Sequence, residues 1–276
     1  MIMNNKFRLG IVSTFILAAV LPVFAQLKPE DIAQRAMWEE FLLTADIIKS
    51  EPLAEGVTKP YRLYFKKGEV ENTAVWKNPD GIFNGVTDSW KHEIAAYRLD
   101  KLLELNMIPV YIERKFAPPN QKKAVPGSLS LWAEHRTNLL KMMKAGENFP
   151  ASALESSDRM KLITRVWDCL IANVDRTQQN IFVTNDWRVI LIDHSRAFQS
   201  DDPFDKKLVF GVNGIFKLPD GRPFLFNDVP RAFIEKIRAL DAAAIKNAVG
   251  PYLTDKEIKA IIARIPLILK EIDGTR

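Results

Sequence analysis

Cysteine is nearly absent: Cys169 stands alone among 276 residues. No disulfide can form within the chain, and no cysteine-based zinc cluster is available. Histidine is as sparse, and His92, His135 and His194 fall at spacings that match no zinc motif. Lys and Arg exceed Asp and Glu by only 39 − 34 = 5, spread along the chain, so composition does not point to a nucleic-acid partner. Internal repeats, charge runs and low-complexity tracts are also missing. What remains is a globular composition, 47% hydrophobic and 26% charged. A chain of this length buries roughly 70–75% of its unfolded surface without a covalent or metal staple, as one large domain or two lobes.

The first 25 residues read as an export signal and not as part of the fold. Lys6 and Arg8 make a basic start, Leu9 to Phe24 is apolar apart from Ser13 and Thr14, and Val23-Phe24-Ala25 offers small residues at the cleavage positions. An uncleaved anchor is the rival reading, since ~17 apolar residues is near the lower limit for a span. Cleavage after Ala25 leaves 276 − 25 = 251 residues with no stable membrane span, and the expected location is periplasmic or secreted.

In the mature chain, residues 30–45 pattern as an amphipathic helix, followed by strand-like runs near 47–48, 61–66 and 73–77. A turn is expected at Pro79-Asp80-Gly81, and then a helix capped by Asp88 and ending near Asn106. Residues 159–173 are strongly helical, and 180–183 with 188–192 form a hairpin around Asn185-Asp186. Three helices close the chain, the last opened by the capping box Thr254 to Glu257. This order describes an α+β protein of two lobes: a small antiparallel-sheet lobe over 26–134 and a mostly helical lobe over 135–276.

Chemistry concentrates between Asp168 and Asp193. Asp175 and Asn180 are five apart in a short loop after a buried helix, and Asp193 ends the apolar strand Val189 to Ile192. That is the spacing of the protein-kinase catalytic loop, in which the Asp takes the acceptor proton, the Asn holds a metal ion and a later Asp holds another. Oxygen ligands of this kind suit Mg²⁺ or Mn²⁺. The same chemistry demands a Lys on a front strand and a Glu on the next helix. Lys77 and Glu93 meet that demand in the required order. Asp175 by itself would read as an ordinary turn former; the joint pattern does not.

These residues carry a resemblance. Thr58 to Phe65, Ala74 to Lys77, Glu93 to Leu103, Met107 to Val110, Asn173 to Arg176 and Asp193 to Phe198 together resemble the secretory-pathway atypical kinases of the Golgi casein kinase family, over about half the chain. The resemblance implies a two-lobed atypical protein-kinase-like fold, a catalytic acid/base at Asp175, a metal ligand at Asp193, and a nucleotide-phosphate role for Lys77 and Glu93. Departures are visible: Thr177 stands where His commonly follows Asp-Arg, and His194-Ser195 where Asn-Gly is usual. The Asp175 to Asn180 spacing is more similar to HipA-type bacterial and phosphatidylinositol kinases, which points to a bacterial branch.

Other features are weaker. No G-x-G-x-x-G precedes Lys77, so the turn at Glu69–Thr73 is the candidate phosphate cover. Leu129 to Glu134 occupies the place of a lobe-connecting hinge, with Trp132 and Glu134 as candidate adenine contacts. Arg176 and Arg196 read as structural ion-pair partners, and Cys169 as core. The reading that follows is an exported kinase-like phosphotransferase using ATP with Mg²⁺ or Mn²⁺ on a hydroxyl of a protein, glycan or lipid. The alternative is a nucleotide-binding pseudokinase or a nucleotidyl transferase of the same fold. Export makes a direct prediction: intact-mass measurement of the mature protein finds Gln26 as the first residue, and a cytoplasmic protein retaining Met1 would overturn it.

Overall fold

The computed structural model describes residues 27–54, 59–119 and 121–274; residues 1–25, expected from the sequence to be an export signal, lie outside them. Two short helices, α1 (Pro29–Ala33) and α2 (Arg35–Thr44), precede strands β1 (Asp46–Pro52), β2 (Tyr61–Lys67) and β3 (Val70–Lys77). A hairpin of β4 (Asp80–Phe83) and β5 (Val86–Ser89) leads into α3 (Trp90–Leu102), and then come β6 (Tyr111–Phe116) and β7 (Val125–Leu131). The main sheet is antiparallel, in the order β1-β2-β3-β7-β6. Period-two patterning builds it: Leu63 and Phe65 of β2, Ala74 and Trp76 of β3 and Leu129 of β7 are buried, and Leu63 lies opposite Ala74 in the ladder. Gly127 is required where β7 passes β3, because a Cβ there would sit 2.6 Å from the Trp76 ring and 2.7 Å from the Lys77 carbonyl oxygen.

The chain leaves this sheet at Leu131 and joins a second, three-stranded one through β8 (Thr137–Asn138), which pairs with β9 (Ile181–Val183) and through it with β10 (Val189–Leu191). Between β8 and β9 run α4 (Leu139–Lys144) and α5 (Leu154–Leu170); after β10 a long irregular segment leads to α6 (Arg231–Arg238), α7 (Ala242–Val249) and α8 (Asp255–Asp273). The Thr254 hydroxyl accepts the Glu257 amide and the Glu257 carboxylate accepts the Thr254 amide, so the capping box is formed.

Helix α3 is buried nearly all round, with His92 to Tyr97, Leu99 and Asp100 all buried. It packs against β6 and β7 on one side and α7 on the other. One continuous apolar cluster therefore runs from Phe41 and Leu63 through Ile94 and Leu99 to Trp167, Ile261 and Ile268. Arg264 of α8 is fully buried and donates to the carbonyls of Leu170, Gln199 and Phe204 at 3.0, 3.0 and 3.1 Å. It thereby ties the last helix to the end of α5 and to the segment after β10.

Several sequence expectations are corrected. The helix over 30–45 is two pieces broken at Gln34. Asp80 and Gly81 do not form the turn. They lie in β4, and the reversal occurs at Asn84 and Gly85, both with positive φ (50° and 80°), the geometry Asn-Gly favours in a two-residue hairpin. Both faces of β4 are exposed, so it lacks the alternation that marks a half-buried strand. Ser89, not Asp88, caps α3 by accepting the Lys91 amide, and α3 ends at Leu102, not near Asn106. Val70 to Thr73 are ladder residues paired with β2, which leaves only Gly68 and Glu69 as turn.

Arg264 yields a stability prediction. Arg264→Met strands two buried carbonyls and one part-buried one, each worth roughly 1 kcal/mol, for a total near 3 kcal/mol. A melting temperature lower by roughly 6–12 °C is expected in thermal denaturation; an unchanged value would show that these bonds are replaceable.

Candidate active site

The site assembles around one ammonium group. Lys77, the last residue of β3, forms an ion pair with Glu93 Oε1, and its Nζ lies 2.6 Å from Asp193 Oδ1. Glu93 stands in the first turn of α3, where a carboxylate also suits the helix dipole. Its side chain has no solvent exposure, and its second oxygen accepts the His194 amide at 2.9 Å. Asp193 follows β10 in a left-handed conformation (φ 60°), which Asp tolerates better than most residues. The bend lets the Asp193 carboxylate face Lys77 while the next amide reaches Glu93. Burial alone would lower the Lys77 pKa, but Asp193 and Glu93 outweigh it and hold the ammonium well above its ordinary value. Burial pushes Glu93 upward against the pull of Lys77. In Asp193 burial also pushes up, and the neighbouring Lys77 charge overcomes it, so the carboxyl sits below the usual range.

A second buried knot positions the loop after α5. Arg176 pairs with Asp168, which has no solvent exposure, through Nε and Nη2 at 3.1 Å. Arg176 Nη1 donates to the carbonyls of Asn180 (3.2 Å) and Ile192 (2.9 Å), and Nη2 to His194 Nε2 (2.8 Å). Burial and the Arg176 charge hold His194 well below its ordinary pKa, consistent with a neutral ring that accepts this bond. Asn173 Nδ2 donates to Asp168 and its Oδ1 accepts the Asp175 amide. The Asn180 side-chain amide nitrogen donates to the Asp175 carbonyl at 3.0 Å, so its oxygen is the atom that could meet a cation. The Ile192 amide donates to the Asn180 carbonyl, which brings Asn180 beside the Asp193 bend.

Asp175 itself is half-buried. Its Oδ2 accepts Arg196 Nη1 at 3.1 Å, and Arg196 Nε donates to Asp88 Oδ2 at the same distance. Burial raises the Asp175 pKa, Arg196 opposes this, and the charges of Asp193 and Asp88 add to the rise, the direction that favours a proton acceptor working near neutral pH. Arg176 and Arg196 are both ion-pair partners, as their sequence positions suggested, and Arg196 in addition bonds the candidate acid/base directly. Its place three residues after Asp193 was the available signal.

Trp132 and Glu134 lie on the crossing between the two sheets. Trp132 donates its amide to the Thr73 carbonyl and its ring carries the Arg62 guanidinium at 4.0 Å; Glu134 is exposed. Among the described residues, no hydrogen bond or ion pair joins these two to the Lys77 cluster. No group of three or more His, Cys, Asp or Glu side chains surrounds a metal position there either. The Asn180 amide oxygen and the Asp193 carboxylate are the two oxygen donors the loop and the strand end could offer a cation. This fits a hard divalent cation completed by phosphate oxygens and not an all-protein cage.

Sheet, buried α3 and loop geometry together define an atypical protein-kinase fold. Among solved structures, hydra Fam20 with sugar is similar over 92% of each chain, with TM-score 0.62 and 13% identity. The Golgi casein kinase aligns with 89% of this chain and 77% of its own (TM-score 0.55, 16% identity). The Golgi casein kinase with Mn/ADP bound aligns with 88% and 76% (TM-score 0.54, 15% identity). The fold is therefore Fam20-like. No family model matches the sequence, and no curated protein does.

Removing Lys77 has a pH signature. Lys77→Met leaves Glu93 buried without its cation, a loss of about 3–5 kcal/mol for a broken buried pair. A carboxyl whose folded pKa is raised contributes stability below its unfolded pKa of about 4.5 and loses it as pH rises through the folded value. The gap in denaturant midpoint between wild type and Lys77→Met is expected to be small near pH 5 and to widen toward pH 8. A gap independent of pH would mean that Glu93 does not depend on Lys77.

Proposed function

We propose that the chain is an exported, metal-dependent phosphotransferase that moves the γ-phosphoryl of ATP to a hydroxyl. The observation that carries this reading is the convergence on Lys77 of Glu93 and Asp193, with Asp175 and Asn180 braced alongside by Arg176. The Golgi casein kinase solved with Mn/ADP supports nucleotide and divalent metal as ligands here. In this reading residues 1–25 are removed on export, 26–134 form the nucleotide-covering lobe and 135–276 the catalytic-loop lobe. Among the described residues no helix is long and apolar enough to cross a membrane.

Lys77, held in place by Glu93, meets the nucleotide phosphates, and Trp132 and Glu134 on the lobe crossing face the base. Asn180 and Asp193 hold Mg²⁺ or Mn²⁺, which when bound neutralises phosphate charge. Asp175 orients the acceptor hydroxyl and takes its proton as the oxygen bonds to the γ-phosphorus; the bond from that phosphorus to the bridging oxygen breaks, and ADP leaves.

The two aspartates then have separable jobs. Asp193→Ala is expected to lose metal-dependent nucleotide binding. Asp175→Asn should bind Mn²⁺ and nucleotide nearly as wild type and turn over slower by about 10²–10⁴-fold. Calorimetric titration together with γ- and α-labelled ATP tests this. Equal loss of binding in both variants would end the division of labour. Transfer of the α-label would reassign the chain to nucleotidyl transfer, and binding without either transfer to a pseudokinase.

A further inference from the structure

The β4–β5 hairpin lies between Lys77 and α3, and its two edges differ. On the β5 side, the Thr87 amide donates to Gln199 Oε1 at 3.0 Å, the Thr87 carbonyl accepts Gln199 Nε2 at 2.8 Å, and the Ser89 amide donates to the Ser195 carbonyl at 2.9 Å. The side chain of Gln199 thus stands in for a neighbouring strand. Because Thr87 and Ser89 use their backbone groups outward, their partners in the register, Ile82 and Asp80, form the non-hydrogen-bonded pairs of the ladder. The N–H and C=O groups of Asp80 and Ile82 therefore point out along the β4 edge. All four β4 residues are exposed, Ile82 at 80%, and no bond to these backbone groups occurs among the described residues. The edge is about 13 Å long and carries no bulge, Lys or Pro between Asp80 and Phe83, so its shortness and Asp80 are its own guards against strand pairing.

This edge is continuous with the candidate site. Phe83, Gly81 and Asp88 share one face of the hairpin by alternation. On that face Arg196 lies 4.4 Å from the Phe83 ring centre while bonding Asp88 and Asp175. A strand added beside β4 would therefore run past the carboxylate proposed to take the acceptor proton.

We propose that β4 is a docking edge for the acceptor and that the acceptor is a polypeptide, adding an extended segment beside Asp80–Phe83 by main-chain pairing. The inference rests on the phosphotransferase reading above and deepens it by choosing among acceptor classes. A row of alternating donors and acceptors at strand spacing matches a peptide backbone. A lipid headgroup would need cations, and β4 offers only Asp80 as a charge. A glycan would need a free aromatic face, and the Arg196 guanidinium lies over Phe83.

The test uses Ile82→Pro, which deletes an outward N–H and blocks the edge while leaving the hairpin's own ladder bonds intact, and Ile82→Thr, which keeps the backbone donors. The probe is a fluorescently labelled, dephosphorylated casein, an unfolded polypeptide, titrated in the presence of Mn²⁺ and a non-hydrolysable ATP analogue. About tenfold weaker binding is expected for Ile82→Pro and near-wild-type binding for Ile82→Thr. In the wild-type protein, casein should slow hydrogen exchange at the Asp80 and Ile82 amides and leave the already bonded Thr87 amide unchanged; this readout holds even if the proline variant misfolds. Equal binding by Ile82→Pro, or no added protection at Asp80 and Ile82, overturns the proposal, as does phosphorylation of an oligosaccharide or of phosphatidylinositol vesicles with no binding of casein. ATP turnover by the wild-type protein is read separately: turnover without casein protection sinks the docking edge alone, and casein protection without turnover sinks the phosphotransfer reading alone.

Discussion

A single guanidinium holds the helical half of the candidate site together. Arg176 satisfies the buried Asp168 carboxylate and at the same time caps two carbonyls from separate segments, Asn180 and Ile192. A buried charge pair of this kind is a poor source of net stability, because desolvation offsets the attraction, but it is very costly to leave half-made. The arrangement therefore acts as a geometric constraint. With Arg176 in place, the loop bearing Asp175 and Asn180 cannot drift from the strand end bearing Asp193.

The second constraint is the burial of α3. In this fold the helix that carries Glu93 is enclosed between the main sheet and the C-terminal helices. Both ring nitrogens of His92 face oxygen acceptors, the Ser195 carbonyl at 3.0 Å and Glu257 at 2.8 Å. Arg98 stacks on Tyr252 and Tyr252 donates to Glu113. Glu93 is thus placed next to Lys77 by packing on several sides, without needing a loop to be ordered first.

The parts of the site that were legible in the sequence share a property: their signal is local. Asp175 and Asn180 are marked by spacing, Asp193 by the apolar strand it ends, and Lys77 and Glu93 by their order along strand and helix. The capping box at Thr254 was legible for the same reason. Arg196 was legible only as an ion-pair partner; which acids it pairs was not, since Asp88 and Asp175 are 108 and 21 residues away and no pattern in one sequence joins them. The hairpin at 80–89 was obscured because an exposed strand has no buried face to impose a period of two, and because Pro79-Asp80-Gly81 carries turn residues that here form strand. The link from His92 to Glu257 spans 165 residues and belongs wholly to tertiary structure.

The dependence of α3 on α8 also couples two parts of the candidate site. Glu257 and Arg264 stand about two turns apart on α8, and they reach His92, the neighbour of Glu93, and Gln199, which closes the hairpin edge. Helix α8 therefore works as a common strut: a displacement along its axis would be felt at the helix bearing Glu93 and at the β5 edge together, and neither could shift while the other stayed fixed.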